Sequence, residues 1–194
     1  MKLLTLNTHS LVEPDYEAKR KFFVDFITKE QPDVFALQEV NQTASAPAMP
    51  IPLADYCPCS GNRILLKEDN HAAAVAQMLK EEGVHYYWSW LPAKIGYDKY
   101  DEGMAIFSRM PITATENLLL SRTDDYHYWK TRRALGICAG DVWYYAVHMA
   151  GGRMKKSLFS ISGKRCPMQH PENRWHFCWV ISTVKQRFGE KVMI

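Results

Sequence analysis

The sequence lacks long apolar runs and a regular set of cysteines. None of its 194 residues lie in a run approaching the roughly 18 apolar residues that a membrane-spanning helix needs. The start, MKLLTLNTHS, becomes polar after a short apolar run, which predicts a first strand and not the apolar region of a secretion signal. Of the five cysteines only Cys57 and Cys59 form a close pair, and no second pair lies at a zinc-like spacing. We therefore expect free thiols, no membrane span and a cytoplasmic protein.

The charges are distributed unevenly along the chain. Residues 150–194 carry nine lysines and arginines against two acidic residues, a net charge of +7. Residues 1–149 carry 15 basic and 19 acidic residues, a net charge of −4. A basic tail is typical of proteins that bind nucleic acid. The basic residues of this tail, however, form no helical face and no interleaved aromatic pattern, which counts against that interpretation.

The hydrophobic pattern predicts strands and helices in alternation before the basic tail. A strand over 2–7, a helix over 15–30 that ends before Pro32, and a buried strand over 33–39 form a βαβ-like unit. A loop without periodicity follows over 41–63, and long loops in compact domains are usually functional. The other predicted elements are a helix over 70–82 and strands over 84–91, 103–108, 117–120, 133–139 and 142–148, the last two forming a hairpin around Gly140-Asp141.

Four polar residues end or interrupt these apolar strands: Asn7, Glu39, Glu102 and His148. In α/β sheets ligands bind at the carboxyl ends of the strands, so the four side chains are candidates for one shared site. A glutamate that closes a buried strand is a suitable ligand for a hard cation, which can bridge to phosphate oxygens. For each residue alone an ordinary alternative stays open: a solvated loop acid for Glu39, or a hydrogen-bonded core histidine for His148.

Five segments in a fixed order resemble one enzyme family: LLTLNTHS, PDVFALQEV, DEGMAIFSRMPI, KTRRALGI and YYAVHM. Together they are similar to the endonuclease/exonuclease/phosphatase superfamily of DNase I-like phosphoesterases, across essentially all of residues 1–149. The phrases KIGYDKYDEGMAIFSR and TDDYHYWKTRR look closest to a Gram-positive bacterial branch that includes maltose 6′-phosphate phosphatases. The resemblance implies an α/β fold in which a two-sheet β-sandwich is flanked by helices in four layers.

The resemblance also implies a role for each strand-end residue. Glu39 matches the family's metal-binding glutamate and Asn7 matches the asparagine beside metal and phosphate, with Mg²⁺ or Mn²⁺ as the expected ion. Glu102 and His148 match a catalytic pair in which the glutamate orients an imidazole near the scissile phosphate.

Two motifs of the family are missing from this chain. It has no GD-x-N after residue 149 and no terminal S-D-H motif. We therefore expect residues 1–149 to be the N-terminal half of such a domain, and residues 150–194 to be an anomalous basic tail. Within that tail, the apolar segment 175–184 is compatible with either a strand or a helix.

A shifted reading frame accounts for the tail. We rebuild each original codon from the last base of one codon and the first two bases of the next. In the restored frame, residues 175–180 must encode five residues: Ala, then either Phe or Leu, then Leu, Leu and Gly. Residues 180–183 permit Asp-Phe-Asn. This restores an apolar strand followed by GDFN, the missing motif. We therefore hypothesise that a single base was lost near Met149 and Ala150.

The resemblance implies that the reaction is hydrolysis of a phosphoester by activated water. A small phosphorylated substrate, such as a sugar phosphate, is favoured over DNA because the acidic body lacks the positive face that duplex binding requires. Arg132 or Arg133 is expected to bind the phosphate, with an ordinary charged strand edge as the alternative. The aromatic segment 86–90 is a candidate for lining a sugar site, although such aromatic side chains are more often buried in the core. A DNA nuclease, and an inactive fragment without the missing motifs, are the alternative functions.

Overall fold

The computed structural model describes residues 1–50, 53 and 55–149, and the backbone of 178–184. These residues form eight strands, two α-helices and one short 3₁₀ helix over Ser10–Val12. The helices are α1 (Tyr16–Glu30) and α2 (His71–Glu81), and the strands are β1 (Leu3–Asn7), β2 (Val34–Thr43), β3 (Tyr87–Gly96), β4 (Tyr100–Ser108), β5 (Ile112–Leu119), β6 (Arg133–Ala139), β7 (Val142–Met149) and β8 (Cys178–Val184). No helix in the described part of the chain is long and apolar enough to cross a membrane.

The predicted βαβ unit is confirmed at the start of the chain. Strands β1 and β2 pair in parallel, with Leu3 opposite Val34, and α1 connects them. Helix α1 ends where Gln31 takes a left-handed conformation and its N–H donates to the carbonyl of Ile27, directly before Pro32. The unit places Asn7, the last residue of β1, opposite Gln38 in the middle of β2.

Two four-stranded sheets build the molecule. The first has the order β1-β2-β4-β3 and the second has the order β5-β6-β7-β8. The predicted hairpin of β6 and β7 is confirmed, and Gly140 takes the positive φ of 61° that its tight turn requires. Strand β8 pairs in parallel with β7, so residues 178–184 of the predicted strand or helix form a strand.

The main cores lie between the sheets and beneath the helices. Buried residues of the first sheet (Val34, Ala36, Leu91, Met104, Ile106) pack with those of the second (Leu135, Ile137, Ala139, Tyr144, Ala146). On the other side of the first sheet, α1 and α2 cover Phe35, Leu37 and Phe107. This arrangement confirms an α/β fold with two sheets and two helices among the described residues. The further prediction of half a four-layer domain, with an out-of-frame tail, falls largely on residues outside these ranges and stays a prediction.

The aromatic segment 86–90 is mostly buried in the core, which is the more common place for such side chains. Trp88 and Trp90 are fully buried in the core beneath the helices, and Trp90 Nε1 donates to the carbonyl of Val40 at 3.2 Å. Tyr86 is also buried, and its hydroxyl donates to the carbonyl of Pro32 at 2.6 Å. When both faces of a strand are covered, its side chains are buried whichever face they point to. The aromatic content alone therefore does not indicate which rings contact a ligand.

Candidate active site

Glu39 occupies an extra position in strand β2. In the pairing of β2 with β4, Gln38 lies opposite Met104 and Val40 lies opposite Gly103, so Glu39 forms a β-bulge. Its φ is +52°, a conformation that is uncommon for a residue other than glycine. A bulge re-aims a side chain that regular alternation would direct elsewhere. The strained residue that results is only 4% exposed, and its carboxylate points into the candidate site.

Three side chains meet the carboxylate of Glu39. Asn7 Nδ2 donates to Glu39 Oε1 at 2.9 Å from the end of β1. His148 Nε2, on β7 of the other sheet, lies 3.5 Å from the same oxygen. His9 Nε2 lies 3.1 Å from Glu39 Oε2. The predicted convergence of Asn7, Glu39 and His148 is therefore present in the structure, and it combines both sheets.

His9 is a site residue that sequence reasoning missed. It stands directly after β1 with a φ of +49°, and its Nδ1 lies 3.1 Å from Glu13 Oε1. The neighbouring Ser10 is buried; its hydroxyl donates to the carbonyl of Glu39 at 2.8 Å and accepts from the N–H of Asn41 at 2.9 Å. These two bonds hold the bulge from both sides. The sequence signal for His9 is the polar run NTHS directly after the first strand, from which Asn7 alone is a predicted site residue.

The predicted contact between Glu102 and His148 is replaced by two other contacts. Glu102 Oε1 lies 2.6 Å from Lys94 Nζ, and the carboxylate nearest to the imidazole of His148 is that of Glu39. The cause is a second bulge: Pro92 lies opposite Gly103 and Lys94 lies opposite Glu102, so Ala93 is the extra residue of β3. Burial lowers the pKa of His148, and the negative charges of Glu39 and Glu102 oppose that effect.

The two candidate arginines have different surroundings. Arg132 donates from Nη1 to the carbonyls of Trp129 and Thr131, and its buried Nε has no hydrogen-bond partner within the described ranges. Burial lowers the pKa of Arg132, while the charges of Glu102 and Glu39 raise it, so the guanidinium lies within electrostatic reach of the site carboxylates. Arg133 instead donates to Asn117 Oδ1 at 2.7 Å and pairs with Asp124. Of the two, Arg132 has the unpartnered donor and lies within electrostatic reach of the site carboxylates.

The donors around Glu39 suit a hard divalent cation. No lysine or arginine among the described residues forms an ion pair with Glu39, although its carboxylate is almost completely buried. The oxygens of Glu39 and Asn7 are the ligand type that Mg²⁺ prefers, and Mg²⁺ commonly takes only one or two carboxylates along with waters and phosphate. The part of the chain that the structure describes holds no cluster of three or more His, Cys, Asp or Glu that would form an all-protein metal cage. The residues therefore fit a shared metal and phosphate site.

The cysteines described by the structure take no part in this site. Cys57, Cys59 and Cys138 are free thiols, as the sequence predicts for these three. Burial raises the pKa of Cys59 to about 12, so this thiol is not a reactive thiolate at neutral pH.

The structure is similar to solved structures of one family. An endonuclease/exonuclease/phosphatase family protein from Leptotrichia buccalis superimposes with a TM-score of 0.75 at 23% identity. The alignment covers 94% of this chain and 65% of that protein. A protein from Beutenbergia cavernae, also described as an endonuclease/exonuclease/phosphatase, gives a TM-score of 0.54 at 19% identity, covering 79% of this chain and 39% of that one. The chain thus spans about two thirds or less of the length of these proteins, and at such identities the likeness shows the fold alone. No curated protein matches the chain.

The sequence itself matches the model of the same family. The model of the endonuclease/exonuclease/phosphatase family aligns with residues 4–190, which is most of the chain. The match includes all four polar residues predicted for the site: Asn7, Glu39, Glu102 and His148. The chain belongs to the endonuclease/exonuclease/phosphatase family.

Proposed function

We propose that this protein is a divalent-metal-dependent phosphoesterase that hydrolyses a small phosphorylated substrate. The proposal rests on one observation: Asn7 and His148, which lie on different sheets, both contact the buried carboxylate of Glu39. A strained bulge residue with such neighbours is typical of a functional site. Family membership supports the reaction class, metal-dependent hydrolysis of a phosphoester.

The side chains divide the chemistry between them. Glu39 and Asn7 would hold a Mg²⁺ or Mn²⁺ ion, which when bound neutralises charge on phosphate oxygens and lowers the pKa of water. His148 presents an imidazole beside Glu39, where it can hydrogen-bond to a phosphate or leaving-group oxygen. Arg132 has a free Nε–H for a phosphate oxygen, and guanidinium geometry suits that contact. His9 and Ser10 keep Glu39 in its bulged conformation.

The surroundings of the site support a sugar phosphate over DNA. Residues 1–149 carry a net charge of −4, so they offer little neutralisation to a long phosphate backbone. Two aromatic side chains are exposed on segments next to site residues: Tyr97 (59% exposed), directly after β3, and Trp129 (62% exposed), whose backbone carbonyl accepts from Arg132. The pKa of Tyr97 is raised by partial burial and by the charges of Glu39 and Glu102, which places its ring near these carboxylates. These rings take the place of segment 86–90 as the proposed sugar-facing surface.

The test is an assay of the purified 194-residue chain with Mg²⁺ or Mn²⁺ and a panel of substrates. The panel contains hexose phosphates, p-nitrophenyl phosphate, single-stranded DNA and duplex DNA. We expect turnover of sugar phosphates that EDTA abolishes and that Glu39→Gln lowers by at least about 100-fold. Glu82→Gln, an exposed acidic residue that follows α2, is the matched control and retains full activity.

The panel also separates the alternative functions. Preferential cleavage of DNA, with binding that weakens steeply as salt rises, would identify a nuclease. Equal and negligible turnover by the wild-type chain and the Glu39→Gln variant on every substrate would support the inactive-fragment alternative and refute the proposed activity of this chain.

A further inference from the structure

A buried ion pair next to the site has no role in the chemistry described above. Lys94 Nζ lies 2.6 Å from Glu102 Oε1, and the two side chains are 12% and 10% exposed. Burying two charges carries a desolvation penalty of several kcal/mol per ion, which their attraction offsets only when the geometry is good. Such a pair is weak evidence for stability, so its position beside a phosphate site calls for another explanation.

Two β-bulges bring this pair to the site. Both neighbours of β4 carry an extra residue at Gly103, Glu39 on one side and Ala93 on the other. A Cβ at Gly103 would lie 2.3 Å from the carbonyl oxygen of Leu91, so only glycine allows the strands to approach this closely. After its bulge, Lys94 lies directly opposite Glu102. The same local distortion therefore positions Glu39 and the Lys94–Glu102 pair.

The carboxylate of Glu102 is held in place while Lys94 keeps donors free. A Cβ at Gly96 would lie 2.5 Å from Glu102 Oε2, which shows that this oxygen packs directly against the backbone of the β3–β4 hairpin. The ammonium group of Lys94 has three N–H donors. Among the described residues, its ion pair is with Glu102. Lys94 and Arg132 both act electrostatically on His148, so both cations lie around the imidazole.

We propose that Lys94 binds the phosphate group of the substrate, with its ammonium shared between a phosphate oxygen and Glu102. This inference rests on the proposed phosphoesterase function. Glu102 then acts as a positioning residue that holds the ammonium, in place of orienting His148. Two cations, Lys94 and Arg132, would face the anion from different elements, because Lys94 lies on β3 and Arg132 lies directly before β6. A phosphate with two cationic contacts is recognised by charge as well as by the metal.

The experiment measures binding of inorganic phosphate by calorimetry to the full chain with MgCl₂ present. The variants are Lys94→Met, Glu102→Gln, the double variant and, as the matched control, Lys99→Met on the same hairpin. Lys99 packs its ammonium over the ring of Tyr100, 5.0 Å from the centroid, and the ion pair of Glu102 is with Lys94. We expect Lys94→Met to weaken phosphate binding at least about 10-fold and Lys99→Met to leave it unchanged.

The double variant separates phosphate binding from a purely structural role. Lys94→Met alone leaves the carboxylate of Glu102 buried without its partner and destabilises the fold, whereas Glu102→Gln removes that charge. If Lys94 contacts phosphate, the double variant regains stability in urea but still binds phosphate weakly. If the double variant binds phosphate as tightly as the wild-type chain, Lys94 only neutralises Glu102 and the inference is wrong.

Failure of this inference and failure of the proposed function are distinguishable. Hydrolysis of sugar phosphates by the wild-type chain, together with wild-type phosphate binding by the double variant, overturns the role of Lys94 alone. Phosphate binding that depends on Lys94, without turnover of any substrate, contradicts the hydrolase and leaves the binding role intact. No phosphate binding by the wild-type chain at millimolar concentration overturns the role of Lys94, and the turnover assay then decides the hydrolase independently.

Discussion

The carboxylate of Glu39 and the imidazole of His148 meet across two different sheets, with 3.5 Å between Oε1 and Nε2. Glu39 belongs to the sheet of β1, β2, β4 and β3, and His148 belongs to the sheet of β5 to β8. Neither residue reaches the other through local structure, so the contact exists only because the two sheets pack face to face. The site is therefore as stable as the apolar interface between the sheets, and damage to that packing will affect it.

Gly103→Ala is expected to destabilise the protein by at least about 2 kcal/mol. The new Cβ would lie 2.3 Å from the carbonyl oxygen of Leu91 and 2.8 Å from Pro92 Cα, both of which are backbone atoms that cannot turn aside. The strands must separate at the position where both bulges lie. Urea unfolding followed by circular dichroism measures the change.

Leu119→Ala is the control for this experiment. Leu119 is 42% exposed at the end of β5, so its truncation is expected to change the free energy of unfolding by less than about 1 kcal/mol. A Gly103→Ala variant as stable as the Leu119→Ala variant would show that the strands do not approach as closely as described.

Acidification is expected to destabilise the protein through His71. This residue is buried at the start of α2, where its Nδ1 lies 2.9 Å from the hydroxyl of Tyr16, and burial lowers its pKa to about 3. The unfolded chain binds a proton at this histidine below about pH 6.5, whereas the folded chain does not until about pH 3. The contribution to stability is therefore complete above pH 6.5 and is lost as the pH falls towards 3.

The measurement is the free energy of unfolding in urea at pH 7 and pH 5. His71→Gln should lose about 2 kcal/mol less than the wild-type chain over this interval, since one proton corresponds to about 1.4 kcal/mol per pH unit. His127→Gln, at an exposed position, should follow the wild-type chain. Identical pH dependence in all three proteins would mean that His71 titrates normally in the folded state.

Trp129→Ala is expected to change selectivity among phosphate esters. The ring is 62% exposed, and one face contacts the ammonium of Lys130, 4.8 Å from the centroid. If a sugar packs against this ring, the variant should raise KM for a hexose phosphate by about 5- to 50-fold. KM for p-nitrophenyl phosphate, measured in the same assay, should change less, because its leaving group is not a sugar.

Trp129→Phe provides the conservative control. It keeps an aromatic face, and we expect it to recover most of the affinity for the hexose phosphate. Equal KM values for all three proteins on the hexose phosphate would exclude Trp129 from the substrate site, although hydrolysis at Glu39 would be unaffected.

Resequencing of the gene is expected to reveal one missing base near the codons of Met149 and Ala150. The register of β8 adds to the case, since Thr183 pairs with His148 and Ser182 pairs with Val147. The rebuilt Asn of GDFN falls across Ser182 and Thr183. The restored motif would thus lie beside His148 at the site end of the sheet. A clean in-frame read that matches residues 150–194 would refute the hypothesis.

Much of the fold and part of the site could be predicted from the sequence. Helix α2 begins one residue after its expected start, because Asn70 accepts a hydrogen bond from the N–H of Ala73 and caps it. Strand β6 has the predicted bounds, and β7 extends only one residue further. Periodicity, caps, Pro32 and Gly140 are local signals, and they act within a few neighbouring residues. The same locality explains why polar residues that end or interrupt the apolar runs, such as Asn7, Glu39 and His148, were recognisable as candidates, although β2 continues past Glu39 to Thr43.

The sequence by itself determined the order of the elements, the family and the polar residues that end or interrupt the apolar strands. Tertiary structure alone decided which of those residues touch: Glu39 with His9 and His148, Glu102 with Lys94. It also decided that Arg132 lies within electrostatic reach of Glu102 and Glu39 while Arg133 pairs with Asp124, and that Trp88 is core. The physical reason is that a β-bulge shifts the alternation of a strand by one residue, and no period in the sequence records where the bulge falls. Contacts between two packed sheets depend on those shifts, so they become visible only in the folded chain.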